Sequence, residues 1–162
     1  AAHGGTRTGR VFTGDKSSQF LYECLFEANL SNQPYSININ DGLKLKNSYI
    51  TTALKCVPPG DKPTSTELNK CSSYFKTELS LLVKSKVIIT LGKVAFDATV
   101  KYYVKTHGKF KQKPSFSHGS TFNLPDGRIL VSCYHPSPRN VNTGRLNKEM
   151  MVNLFKKVVK LI

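Results

Sequence analysis

Two β-type runs, each followed by a turn or loop and then a helix, most narrow what this chain can become. Residues 86–91 (Lys-Val-Ile-Ile-Thr-Leu) are short, apolar and β-branched; Gly92 turns the backbone, and residues 93–105 carry helical spacing. Residues 128–132 (Arg-Ile-Leu-Val-Ser) repeat the pattern with a longer connection, which ends in a strongly amphipathic helix over 147–162. Strands alternating with helices predict a parallel sheet covered by helices on both faces, an α/β fold of three layers. Such sheets place their ligand chemistry on the loops beyond the strand ends.

The remaining segments fit around that frame. Residues 1–18 are rich in Gly, Thr and Arg and read as a loop, and residues 19–28 read as a helix stopped by Asn29. Cys24 falls on that helix and reads as core packing. Residues 32–47 are polar, with a turn at Asn40-Asp41-Gly42, and residues 48–54 read as a buried strand. Proline and glycine keep residues 55–64 irregular; Ser65 or Thr66 then caps a helix reaching about Val83. A polar connection over 106–119 leads to a hairpin about Pro125-Asp126-Gly127. No internal repeat or domain boundary is visible, so residues 1–162 read as one domain.

Composition narrows the partner. Twenty-four Lys and Arg against ten Asp and Glu give a formal charge of +14, spread along the chain. A lysine-rich solvated surface accounts for part of this. An excess so large on a small domain favours a polyanion, most simply nucleic acid, without separating DNA from RNA. No apolar run approaches a membrane span, and no signal peptide is visible. Cysteines at 24, 56, 71 and 133 form no compact disulfide pattern, which points to a reducing, intracellular compartment such as the cytoplasm.

The chemistry is sought in residues 132–146. His135 stands at a strand edge, Pro136 and Pro138 stiffen the chain behind it, and Arg139 and Arg145 follow. Prolines fix φ and remove backbone donors, so this loop is expected to be rigid. An isolated histidine is more often structural; these neighbours favour a catalytic one. Phe12 lies between glycines, where either a loop anchor or a stacking platform for a base fits. Asp15 either caps the following helix or serves acid–base chemistry, positioning a water or balancing a positive charge. Arg7, Lys62, Arg139, Asn140 and Arg145 are loop residues suited to phosphate contacts or to the gap left by an extruded base. Pro136, Ser137 and Pro138 could pinch the nucleic-acid backbone.

Two segments carry a resemblance. His135-Pro136-Ser137-Pro138-Arg139-Asn140 with Asn142-Thr143-Gly144-Arg145-Leu146 closely resembles the second catalytic motif of type-b (family-5) uracil-DNA glycosylases. Ala1-Ala2-His3-Gly4-Gly5-Thr6-Arg7-Thr8-Gly9-Arg10-Val11-Phe12-Thr13-Gly14-Asp15 resembles the end of their first motif, and the likeness runs through nearly the whole chain in order. It implies a uracil-DNA-glycosylase-type sandwich and a monofunctional DNA repair enzyme. Such an enzyme hydrolyses the N-glycosidic bond of uracil, with hypoxanthine and other deaminated bases as further substrates, and leaves an abasic site. His135 would donate a hydrogen bond to the departing pyrimidine and Phe12 would stack on it. Ala1, Ala2, Thr52 and Asp61 would join Phe12 in binding substrate. Type-b enzymes lack the polar water-activating residue of other branches; Ala1 and Ala2 match that absence, and Asp15 is the substitute.

The resemblance also implies a structural 4Fe–4S cluster, with Cys56 and Cys71 as half of its ligands and an N-terminal Cys-x-x-Cys as the rest. That second pair is not in this sequence, which reads as an N-terminal truncation lacking a first strand. Asp61 and Thr6 stand where asparagine is usual, and a carboxylate only accepts where an amide can donate. A base with a donor edge would suit Asp61. The competing class is a nucleic-acid-binding module without catalysis.

Overall fold

The computed structural model describes residues 3–162 apart from the side chain of Asp61. The described elements are α1 (His3–Thr8), α2 (Lys16–Glu27), a 3-10 turn (Pro59–Asp61), α3 (Ser65–Leu81), β1 (Val87–Leu91), α4 (Lys93–His107), β2 (Thr121–Asn123), β3 (Ile129–Cys133), α5 (Pro138–Asn142) and α6 (Lys148–Val159). They fall into two compact units. The first holds the described residues up to Thr52 with His135–Lys160; the second holds Ala53–Tyr134 with Leu161–Ile162.

In the first unit α2 packs on α6. Leu21, Cys24, Leu25 and Ala28 recur at helical spacing and are buried, as are Met151, Leu154, Phe155 and Val158. Burial pushes the Cys24 thiol up to about 12, so it stays protonated and serves packing, as expected. Lys148 ties the helices together from outside, pairing with Glu27 and, at 3.8 Å, with Glu23. The amphipathic C-terminal helix begins one residue later than expected, because the Asn147 side chain accepts from Met150 N and caps it.

The second unit holds a three-stranded sheet in the order β1-β3-β2. β1 and β3 are parallel, with Val87 opposite Ile129 and Leu91 opposite Cys133, which bears out the α/β class. β2 runs antiparallel to β3 across the expected hairpin, so the sheet is mixed. Leu79, Phe96, Tyr103, Leu124 and Leu130 form the core here, with Phe75, Ile88, Val100, Phe116 and Phe122 packed against it. Gly92, at φ 94°, lets β1 turn straight into α4. At the N-terminal end of β3, Arg128 closes the unit. Its Nη2 donates to Leu79 O and Leu82 O, Nε to Ser85 O and Oγ, and Nη1 to Asp126, which also accepts from the buried Tyr103 hydroxyl. Arg128→Met is expected to destabilise by about 2–3 kcal/mol, because it leaves the α3 carbonyls and one carboxylate oxygen short of donors. A urea titration checks this; an unchanged midpoint would contradict it.

Three sequence expectations need correction. Residues 48–54 are not a buried strand: Tyr49 is 58% exposed and, within that run, only Leu54 is buried. β-branched composition is satisfied equally by an extended connection, and this run ends where the first unit passes to the second. The opening is not wholly loop, since α1 forms over His3–Thr8 despite two glycines and α2 starts at Lys16. The cap of α3 is Thr64, whose side chain accepts from Glu67 N while Glu67 reaches back to Thr64 N.

Candidate active site

The stiff loop after β3 is shorter than its sequence suggests, because it winds into α5. Ser137 Oγ accepts from Asn140 N, Pro138 takes the first helical position where no donor is needed, and Pro136 is fully buried. The Asn140 amide, one turn on, donates to His135 O at 2.8 Å. Asn140 therefore fixes the backbone that carries the imidazole. Pro138, Arg139 and Arg145 are exposed.

On the other side of the site lies the glycine-rich opening. Phe12 adopts φ 55°, a left-handed conformation that glycine takes freely and a bulky residue does not. Holding it there costs about 1–2 kcal/mol, so its surroundings must over-determine it. Its ring centroid lies 5.8 Å from that of His135, with 40° between the planes. Two rings so close touch each other. A base sandwiched between them would need about 7 Å, twice the usual aromatic contact distance. The two rings therefore leave no gap for a base between them. They form two adjoining walls, a flat face and a polar edge, on which one planar ring could rest.

Asp15 meets the first of its two sequence readings, the helix cap. Its Oδ1 accepts from Ser18 N at 2.7 Å while Ser18 Oγ accepts from Asp15 N, a capping box that starts α2. Its charge is also felt by His135. Burial pushes the imidazole pKa below its ordinary value, and the Asp15 carboxylate offsets part of that. His135 is therefore neutral at pH 7, with one ring N–H to donate. Asp15→Asn should keep the cap, since the amide oxygen still accepts, and should lower the imidazole pKa further. An NMR titration of His135 reads this; an unmoved or higher pKa would contradict the coupling.

Arg7, His3, Gly4, Gly14 and Asp15 line a concavity of about 370 Å³, in which the Arg7 guanidinium donates to Gly14 O at 2.6 Å. Gly4 is obligatory there: a Cβ would come closer than 3.0 Å to the Thr13 carbonyl oxygen. Thr52 is half-buried at the end of the first unit. Lys62 is exposed in the second unit. Ala1, Ala2 and the Asp61 side chain lie outside the described residues.

Cys56 and Cys71 are free thiols of the second unit, one exposed and one half-buried. Thiolates are the right donors for an iron–sulfur cluster, but a cluster wants four. No group of three or more metal-ligating side chains occurs among the described residues. Nor, among those residues, is any helix long and apolar enough to cross a membrane.

Sequence reasoning missed Arg10, Ser36 and Asp41, which hold the Phe12 loop from behind. Their signal is weak: Asp41 reads as a turn residue, and nothing local pairs it with an arginine 31 positions away.

Residues 1–159 match the family model described as the uracil DNA glycosylase superfamily. A type-5 uracil-DNA glycosylase of Pyrobaculum aerophilum is 44% identical over 157 residues, 97% of this chain and 66% of that protein. The type-5 enzyme of Thermus thermophilus is 42% identical over 160 residues, 99% of this chain and 71% of its own length. That of Mycobacterium tuberculosis is 39% identical over 162 residues, 99% of this chain and 59% of its own. The chain thus spans about three-fifths to seven-tenths of the length of these relatives.

Proposed function

The chain belongs to the uracil DNA glycosylase superfamily, and on that premise we propose that it removes uracil from DNA by hydrolysing the bond between base and sugar. The observation that carries this reading is the juxtaposition of Phe12 and His135, 5.8 Å apart, with the Asp15 charge felt by the imidazole. A base taken out of the stack needs a face to lie on and a donor for the charge that develops as the C1′–N bond breaks. Phe12 offers the face. Neutral His135 donates its N–H to a carbonyl oxygen of the departing pyrimidine. Asp15 has Oδ1 engaged in the helix cap; its other oxygen orients the attacking water or balances positive charge on the sugar.

The other residues serve substrate and DNA. On the family resemblance, Ala1, Ala2, Thr52 and Asp61 are further substrate-binding residues, and Asp61, an acceptor in place of an amide, widens the choice toward deaminated bases with a donor edge, hypoxanthine among the bases tested first. Arg7, Lys62, Arg139 and Arg145 contact phosphates; Ser137 and Pro138 compress the DNA backbone, whereas Pro136, expected to join them, is fully buried and stiffens the chain beneath; and Asn140 holds His135 from behind. Cys56 and Cys71 would supply two thiolates of a structural 4Fe–4S cluster. The cluster supplies no step of the hydrolysis. An iron-free preparation of the full-length protein would remove it from this reading.

Incubation of the full-length protein with a uracil-containing oligonucleotide, followed by alkali, tests the activity. Strand cleavage at the uracil, absent from a thymine control, is the expected result. Tight binding without cleavage would make the protein a nucleic-acid-binding module, a reading that the charge of +14 alone would support.

A further inference from the structure

We infer that Arg10 and Asp41, with Ser36 between them, are positioning residues that hold the Phe12 ring in place for the base. This rests on the reading of Phe12 as the stacking face. Phe12 is the bulky residue at φ 55°, and the residues around it are tied down individually. Two positions before it, Arg10 turns inward. Its Nη1 donates to Asp41 Oδ1 at 2.7 Å and to Ser36 Oγ at 2.9 Å, and its Nη2 donates to Ile39 O at 3.1 Å. One position after it, Thr13 is fully buried, and its hydroxyl lies 2.6 Å from Ser36 Oγ. The buried Tyr22 of α2 neighbours the same Thr13–Ser36 pair, whose hydroxyls offset part of the rise that burial gives its pKa. Ile39 N donates to Thr8 O at 3.1 Å, adding a backbone tie between the two loops.

Asp41 is suited to be the fixed end of this clamp. Its side chain is only 5% exposed, and Oδ2 accepts from Ile37 N at 2.6 Å and Asn38 N at 3.3 Å, while Oδ1 also accepts from Leu43 N at 3.0 Å. One carboxylate thus organises the loop over 36–43 and presents it to Arg10. Among the arginines of the opening segment, Arg7 is exposed at the concavity and Arg10 is spent on this clamp. A left-handed phenylalanine flanked by anchored residues can keep its ring against His135, where a free loop would relax to an ordinary conformation. Neither Arg10 nor Asp41 is placed against the base; both act through Phe12.

A double-mutant cycle on uracil release tests this. Phe12→Ala and Asp41→Ala are each expected to lower kcat/KM roughly 5- to 100-fold, the range of one base–aromatic stack. In the Phe12→Ala background, Asp41→Ala should cost no more than about twofold further, because coupled residues fail to add. Losses that multiply would overturn the inference and leave the role of Phe12 standing. Phe12→Ala at the wild-type rate would overturn the reading of the site itself. Because Asp41→Ala also strips three backbone donors of their acceptor, Arg10→Lys gives a second arm that leaves the turn intact. It removes the forked contact with Ser36, Asp41 and Ile39, and it should reproduce the loss and its disappearance without Phe12. Arg10→Lys at full activity would contradict the inference.

Discussion

His135→Ala is expected to lower the rate of uracil release about 10²- to 10³-fold while leaving affinity for the DNA nearly unchanged. The magnitude is that of removing one donor aimed at developing negative charge, about 2.7–4 kcal/mol in the transition state. The split follows from geometry. The imidazole adjoins the Phe12 ring, the proposed stacking face, whereas Arg139 and Arg145, the proposed phosphate contacts, are exposed elsewhere on the same loop. A change that removes only transition-state binding lowers kcat and kcat/KM together. Single-turnover release of uracil, measured beside a binding isotherm on the same oligonucleotide, checks both halves. A variant that loses binding in proportion to rate would make His135 a DNA contact or a structural residue.

Gly4→Ala should be nearly as damaging, although Gly4 is not placed against the base. The added methyl would sit within 3.0 Å of the Thr13 carbonyl, a backbone atom with no rotamer to retreat into. Either α1 or the chain over 12–15 must move. That chain carries Phe12, the buried Thr13 and the Asp15 cap, so the cost falls on stability and on the site together. Overpacking against backbone costs about 1–3 kcal/mol. A shift near 1 Å at the reacting groups can cost about 10²-fold in rate. Gly5→Ala is the control, since its Cβ would meet nothing nearer than 3.5 Å. Equal activities for the two variants would contradict the close approach.

What the sequence made legible was periodic or chemically marked. Leu21, Cys24, Leu25 and Ala28 repeat at helical spacing and are buried; residues 87–91 and 129–133 are the apolar strands; Gly92 makes the turn between β1 and α4. His135, Phe12 and Asp15 stood out by residue type and setting, and the fold brings the two rings into contact. What stayed hidden was tertiary. Residues 48–54 have strand composition, but composition does not supply a ladder. α1 forms at two glycines because Thr8 Oγ1 donates back to Gly4 O and Gly9, at φ 74°, ends the turn. The Arg10–Asp41 clamp joins loops that no local pattern relates. Even Asn140, chosen as a DNA contact, spends its amide on the His135 carbonyl.

The central claim is that a neutral imidazole beside an aromatic face carries the release of the base. The pH dependence of single-turnover uracil release tests it most directly. Burial holds the His135 pKa below its ordinary value of 6.5, so the neutral form persists as pH falls through that value and is lost only below it. The rate should therefore be highest on the alkaline side and fall as pH drops, with the midpoint of the fall below 6.5. In Asp15→Asn that fall should move to still lower pH, as the offsetting charge is gone. A rate that climbs as pH drops through 6.5 would mean that imidazolium is the working form, and the account would be wrong.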